Sequence, residues 1–321
     1  MRNSAALKNQ SARSYLDHSP IIEMFRPEVH RSSVSPLSEL PRINAVVNND
    51  ESLPDDCVPV LSIVVPFFNE KRRMEETLSH IVGLANSAVE VVLVDDGSTD
   101  GTTDILREAA SCATNVHFVQ LARNSGKGAA VRAGIALTTG LSVVFMDADL
   151  ATDLDCLQDL LKALEKAEVA IGSRSNVAAE LHQLTRARSL MGGVFNKAVR
   201  RVTGLEYSDT QCGFKAFRGD VARSLFAVSQ VDGFAFDVEL LLFAQVAGMR
   251  IMEVPVRWTE KSGSKVRVAL DPLKMLWDLL KIRRGIMRNS DLINKNLGSS
   301  WRRQCDFSTS LLEQPQAVRP V

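Results

Sequence analysis

The sequence predicts an α/β fold, a mostly parallel sheet flanked by helices, and two observations predict it. From residue 60 onward, short aliphatic runs alternate with stretches whose apolar residues recur at helical spacing. Strand and helix in alternation build βαβ units with right-handed crossovers. The short runs are also apolar at almost every position, as in "VLSIVVPF" (60–67). A strand needs apolar residues on both sides only where helices cover both faces of its sheet.

That run is the first strand. The helix after it spans 70–85, with Met74, Leu78, Ile81 and Val82 on one face. Strand 89–95 ("VEVVLVD") precedes a helix over 99–110, and strand 116–121 ("VHFVQL") precedes one over 126–137. Strand 141–147 ("LSVVFMD") leads into a helix over 154–167, and 169–174 is a further short strand. The second half is less regular: helix 187–204, strand 213–218, helix 236–248 and strand 250–258. A last helix, 271–288, opens with Asp271 as N-cap and Pro272 at its first position. Residues 1–57 mix Ser, Pro, Asn and charge without periodicity and read as a disordered extension, and 289–321 read as a polar tail. One domain is expected over 58–288.

Charge balances at 38 basic and 38 acidic residues, so no nucleic acid or other polyanion is indicated as a partner. Five scattered cysteines (57, 112, 156, 212, 305) form no C-x-x-C pair, which argues against a zinc site or disulfide framework and for a reducing cytosol. No apolar run approaches the roughly 20 residues of a membrane span, and the polar N-terminus lacks a signal-peptide core. The expected location is the cytoplasm or the cytoplasmic face of a membrane.

In open α/β sheets, ligands bind beyond the carboxyl ends of the strands. Four successive strand ends here are polar: "PFFNE" (66–70), "DDGSTDGT" (95–102), "ARNSGKGAA" (122–130) and "DADLAT" (147–152). Asp147 and Asp149 lie two apart, so an extended chain aims both at one spot, where Mg²⁺ or Mn²⁺ would relieve their repulsion and share a substrate phosphate. The plainer alternative is helix capping by Asp149, Thr152 or Asp153. An EF-hand reading of 96–107 fails because Arg107 stands where the terminal Glu belongs. A receiver domain does not match the phosphate-binding features elsewhere. "SGKGAAVRAG" matches neither nucleotide-loop pattern, yet Lys127 between glycines could approach a diphosphate; otherwise it is a flexible helix start.

Together, "SIVVPFFNE", "VLVDDGSTDGT", "NSGKGAAVRAG" and "DADLAT" resemble a family 2 glycosyltransferase of the GT-A, Rossmann-like fold. "GSR" (172–174), "SDTQCGFKAF" (208–217), "AFDVELL" (235–241) and "VRWTEKSGSK" (256–265) are similar to the polyprenyl-phosphate hexosyltransferases, dolichyl-phosphate β-glucosyltransferases in particular. The resemblance covers roughly 60–285. It implies a nucleotide-sugar half over about 58–174 and an acceptor half over about 175–288. The eukaryotic glucosyl enzymes usually begin with a membrane-spanning helix, and none is expected here.

The resemblance also implies residue roles. Pro66, Phe68, Glu70 and Asp96 would hold the base and ribose, and Lys127 the diphosphate. Asp149 would bind Mg²⁺ or Mn²⁺, with Asp147 assisting directly or through the ribose. Ala151 stands where mannosyl relatives carry a metal-binding glutamine, which favours UDP-glucose over GDP-mannose. Arg174 and Arg188 would hold the acceptor phosphate, with Gly192 in place of a phosphate-binding serine. Asp209 occupies the position of a base in hydroxyl-activating relatives and is expected to orient the site instead. Cys212 is expected to pack, and Lys265 to close over the diphosphate. The implied reaction is inverting transfer of a hexose to a polyprenyl phosphate. The alternatives are a mannosyl donor, a soluble hydroxyl acceptor, and a nucleotide-sugar sensor without turnover. Helix 271–288, basic and carrying Trp277, suits either a membrane surface or packing on the sheet.

Overall fold

The computed structural model describes residues 59–174 and 199–259, with 278–280, 282 and 284. Its elements are β1 (Leu61–Phe67), α1 (Met74–Val82), β2 (Val89–Asp95), α2 (Thr102–Ser111), β3 (Val116–Gln120), α3 (Lys127–Ile135) and β4 (Ser142–Met146). There follow α4 (Cys156–Ala163), β5 (Val169–Ser173), β6 (Phe214–Arg218), α5 (Gly219–Val228), α6 (Phe236–Val246) and β7 (Ile251–Pro255). The strands form one sheet in the order β3-β2-β1-β4-β6-β5-β7. β1 to β4 pair parallel, as do β5 and β7. Only β6 runs against its neighbours β4 and β5. The mostly parallel sheet read from the sequence is the one observed.

Both faces of the sheet's centre are covered, which is why β1, β2 and β4 are apolar at nearly every position. Val64, Val92, Val94 and Val119 face a cluster with α3, α5 and α6, while Ile63, Val65, Val91 and Leu93 face one with α1 and α4. Neighbouring positions point to opposite sides, as the two-residue period of a strand requires. At the amino-terminal edge the buried Glu90 carboxylate bonds the Ser62 hydroxyl and accepts the Thr139 N–H at 2.6 Å and the Gly140 N–H at 3.2 Å. That edge is closed by structural hydrogen bonds, and the opposite edge is left for chemistry.

One expectation needs correction. Helix α5 was not expected, because it opens on Gly219 and follows β6 with no loop between them. Its buried Val221, Ala222, Leu225 and Phe226 nevertheless trace a helical face. The last helix lies mostly outside the described residues, but Leu279 and Ile282 belong to the same buried cluster as α5 and α6. Those two side chains pack on the protein's own core, as one of the two readings of this helix expects. Among the described residues no helix is long and apolar enough to cross a bilayer.

The reversed strand positions the site. Because β6 is antiparallel, its first residues lie at the edge where β4 and β5 end. Phe214 pairs with Met146, so the turn 209–213 comes to rest beside Asp147.

Candidate active site

The first two polar loops are tied to each other. The Asn69 N–H donates to Ser98 Oγ at 2.8 Å, and the Thr99 N–H returns to Asn69 Oδ1 at 2.8 Å. Asp95 accepts the Thr103 hydroxyl at 2.7 Å. Asp96 is buried, and its two oxygens accept the N–H groups of Ser125 and Gly126 at 2.7 and 2.9 Å. Burial nevertheless pushes its carboxyl above the ordinary value. Asp96 therefore fastens the third loop to the second strand. Each oxygen keeps one further lone-pair direction.

Four carboxylates and three cations converge at this edge. Lys127 Nζ lies 2.6 Å from Asp147 Oδ1. Burial opposes the ammonium charge, yet Asp147 holds Lys127 above the usual lysine value. Arg174 donates from Nε and Nη2 to Asp209 at 2.6 and 2.9 Å, and its backbone N–H adds a third bond at 3.2 Å. Against the burial that would raise it, that guanidinium keeps the Asp209 carboxyl below the ordinary range. Lys215, wholly buried in β6, donates to Asp237 Oδ1 and to the Cys212 carbonyl at 2.6 Å each. Three cations thus pair with three acids.

Asp149 is the acid left over. Among the described residues it makes no ion pair, accepting only the Ala151 N–H at 3.1 Å. Burial, and then the charge of Asp147, push its carboxyl above the usual value. The turn that carries it is tight, with Leu150 at a φ of 48°. Arg73 and Lys127 only partly offset that rise, and a half-buried acid beside another acid stays ionised more readily with a further cation at hand. Asp153 accepts the Asp155 N–H at 3.0 Å in the turn ahead of α4, and the N-cap position itself, Asp155, makes no side-chain capping bond.

The glycines around Lys127 serve a different purpose from the expected one. A side chain at Gly126 would strike the Asp232 carbonyl oxygen, and one at Gly128 that of Val231 and the ring of Phe236. The Gly128 N–H also donates to Asp232 O at 2.7 Å. They let the 231–232 backbone press onto the start of α3. Lys127 alone turns toward the acidic corner. Gly128→Ala should lower stability by about 2 kcal/mol through overpacking, read as a lower denaturant midpoint in urea unfolding. Gly213 plays a comparable part at the site itself, where a Cβ would overlap the Asp147 carboxylate.

The remaining expected residues fall into three groups. Pro66 lies inside β1, paired with Val94, and Phe68 is half-buried just beyond it. Glu70 is gripped by Arg73 through bonds of 2.9 and 2.8 Å, a partner the sequence reading did not assign. Arg188, Gly192 and Lys265 lie outside the described residues. Cys212 is buried, and burial raises its thiol, so it packs as expected. Sequence reasoning missed the pair Lys215 and Asp237. A lysine amid the apolar "GFKAF" was the available signal, since a buried lysine requires a partner. The Thr210 hydroxyl and Gln211 Nε2 are buried without a hydrogen-bond partner among the described residues.

An acidic corner with an unpaired carboxylate, at the carboxyl edge of a doubly covered sheet, is the geometry against which known proteins can be compared. The sequence model for glycosyl transferase family 2 matches residues 62–226. The chain belongs to glycosyltransferase family 2. This glycosyltransferase is 33% identical over 242 residues to the dolichyl-phosphate β-glucosyltransferase of Dictyostelium discoideum, spanning 70% of this chain and 73% of that protein. It is 35% identical over 254 residues to the human protein of that name, spanning 73% and 78% of the two chains. Among solved structures, glucosyl-3-phosphoglycerate synthase from Mycobacterium tuberculosis in complex with phosphoglyceric acid superposes at a TM-score of 0.54, with 20% identity over 70% of this chain and 80% of that one. The same enzyme with Mn²⁺, UDP-glucose and phosphoglyceric acid superposes at 0.52, with 21% identity over the same shares. At that identity the likeness establishes the GT-A fold alone.

Proposed function

We propose that this glycosyltransferase moves glucose from UDP-glucose to a polyprenyl phosphate of the dolichyl type, inverting the anomeric centre to give a β-glucosyl phosphate lipid. The observation that carries the reading is the Arg174–Asp209 pair. A hydroxyl acceptor needs a base, and Asp209 is the acid at the base's position in relatives that use one. Here it is clasped on both oxygens by a guanidinium and held well ionised, which makes it a weak proton acceptor. A phosphate acceptor arrives already ionised and needs no base. It needs positive charge, and the guanidinium fork of Arg174 supplies it in bidentate form. The names carried by the relatives agree with this acceptor and with glucose. Ala151, in place of the glutamine of mannosyl relatives, agrees with glucose too.

The donor is held on the other side of the edge. Pro66, Phe68, Glu70 and Asp96 line the approach for base and ribose, and Lys127 faces the diphosphate. Asp149 and Asp147 fit Mg²⁺ or Mn²⁺: both are hard oxygen donors on one tight turn, and Asp149 makes no ion pair among the described residues. Among the described residues no three metal-binding side chains converge, so diphosphate oxygens and water would complete the shell. A protein of the same fold was crystallised with Mn²⁺ and UDP-glucose. When bound, the dication would neutralise charge on the departing diphosphate. Arg174 and Arg188 aim one acceptor-phosphate oxygen at the anomeric carbon. The C–O bond to UDP breaks as the new C–O bond forms on the opposite face. Thr210 and Gln211 offer buried polar atoms beside this path, and Lys265 closes over the diphosphate. The acceptor's lipid tail places the protein at a membrane surface.

The test combines purified protein, Mn²⁺, polyprenyl phosphate and radiolabelled UDP-glucose. Label should enter the lipid phase, with GDP-mannose and free sugars as poor substitutes for donor and acceptor. Between about pH 5 and pH 8 the kcat profile should show no acidic limb attributable to Asp209. Efficient transfer to a soluble hydroxyl with no lipid-linked product would overturn the proposal.

A further inference from the structure

Trp258 has no part in the reaction described above, yet its ring lies against Arg174. We propose that Trp258 is a positioning residue that holds the Arg174 guanidinium in the orientation that receives the acceptor phosphate, and couples that orientation to the chain following Asp149. The proposal rests on the functional reading given above. The guanidinium carbon of Arg174 sits 5.7 Å from the Trp258 ring centroid. Its Nε and Nη2 are turned to Asp209. One edge and one face of the planar group are therefore occupied, and among the described residues the Nη1 edge is engaged by nothing. That edge can take two oxygens of a phosphate. A guanidinium held by a carboxylate alone can hinge about the line joining the two carboxylate oxygens. An aromatic face beneath it removes that freedom, and tryptophan offers the strongest such face.

The indole is anchored in its turn. The backbones of Thr152 and Trp258 form an antiparallel bridge. On either side of it the Asp153 N–H donates to Arg257 O at 3.0 Å, and the Thr259 N–H to Ala151 O at 2.8 Å. The Arg257 guanidinium reaches Asp153 and Asp155 at 2.9 Å each. Residues 257–259 are thus stapled to residues 151–153, which begin two positions past Asp149. One strip of chain touches the donor loop with its backbone and the acceptor arginine with its ring.

The test is steady-state kinetics on the full chain with Mn²⁺, UDP-glucose and polyprenyl phosphate. Trp258→Ala should raise the KM for polyprenyl phosphate about tenfold, the size of a partly desolvated cation–π contact. The KM for UDP-glucose should stay within about twofold, and Trp258→Phe should recover most of the loss. In an Arg174→Gln background, Trp258→Ala should add less than about twofold, because its effect passes through Arg174. The proposal is overturned by an unchanged acceptor KM in Trp258→Ala, or by a tenfold loss that persists without Arg174. It is also overturned if both KM values and the unfolding midpoint worsen together with no rescue by phenylalanine. A wild-type protein inert toward polyprenyl phosphate overturns the functional reading itself, and this one with it.

Discussion

Asp149→Ala is expected to lower kcat by about a thousandfold or more, equivalent to about 4 kcal/mol of transition-state stabilisation lost at a metal-assisted leaving group. The protein should fold at least as stably as before. Asp149 makes no ion pair among the described residues and lies half-buried beside a second acid, so its removal relieves repulsion at the cost of one hydrogen bond from the Ala151 N–H. Two measurements separate these effects. Mn²⁺ titration followed by electron paramagnetic resonance in the presence of UDP should show binding in the wild type and its loss in the variant. Urea unfolding should show an equal or higher midpoint. A variant with full activity and undiminished Mn²⁺ affinity would remove Asp149 from the proposed metal site.

Lys215→Met carries the largest expected change in stability. Lys215 and Asp237 are 0% and 4% exposed, and breaking a buried pair from one side costs about 3–5 kcal/mol. The cost should depend on pH. Burial already pushes the Asp237 carboxyl above its ordinary 3.8, with Lys215 working against the rise. Without that ammonium the folded-state value climbs further. The folded protein then holds a proton that the unfolded chain releases, so stability falls as pH rises through the window between the two values. The deficit should be small below about pH 4 and complete above the raised folded value. Lys215→Met combined with Asp237→Leu should recover most of the loss, because matched apolar residues replace a buried pair at little cost. Equilibrium unfolding at three pH values measures both variants. A deficit independent of pH would show that Asp237 gains nothing from Lys215. The double variant should remain catalytically impaired, since the Lys215 ammonium also holds the Cys212 carbonyl of the turn beside Asp147.

Local patterns sufficed wherever one residue's neighbours in the chain are also its neighbours in space. The strands β1 to β5 were legible because a doubly covered strand must be apolar at successive positions. The helices between them were legible by their period, with ends displaced by a few residues where tight turns intervene. Asp147 and Asp149 were legible as a pair because an extended chain aims alternate residues the same way. Helix α5 was not, since it starts directly from β6 without loop or capping side chain. The purpose of the glycines at 126 and 128 was not legible, for a related reason. A glycine marks a close approach, and the sequence does not say whether the approaching partner is a ligand or a distant stretch of backbone. Here it is 231–232, about a hundred residues away.

By itself, then, the amino-acid order determined an α/β sheet, the edge where its chemistry gathers, the family, and the acids and bases present. Only the tertiary structure decided their pairing: Lys127 with Asp147, Arg174 with Asp209, Lys215 with Asp237, and Asp149 with none among the described residues. The physical reason is the single reversed strand. An antiparallel β6 returns the 209–213 turn to the edge where β4 and β5 end, across a sequence gap of some sixty residues. Charge interaction depends on distance in space, and that distance is set by strand order and direction, which a residue pattern does not encode.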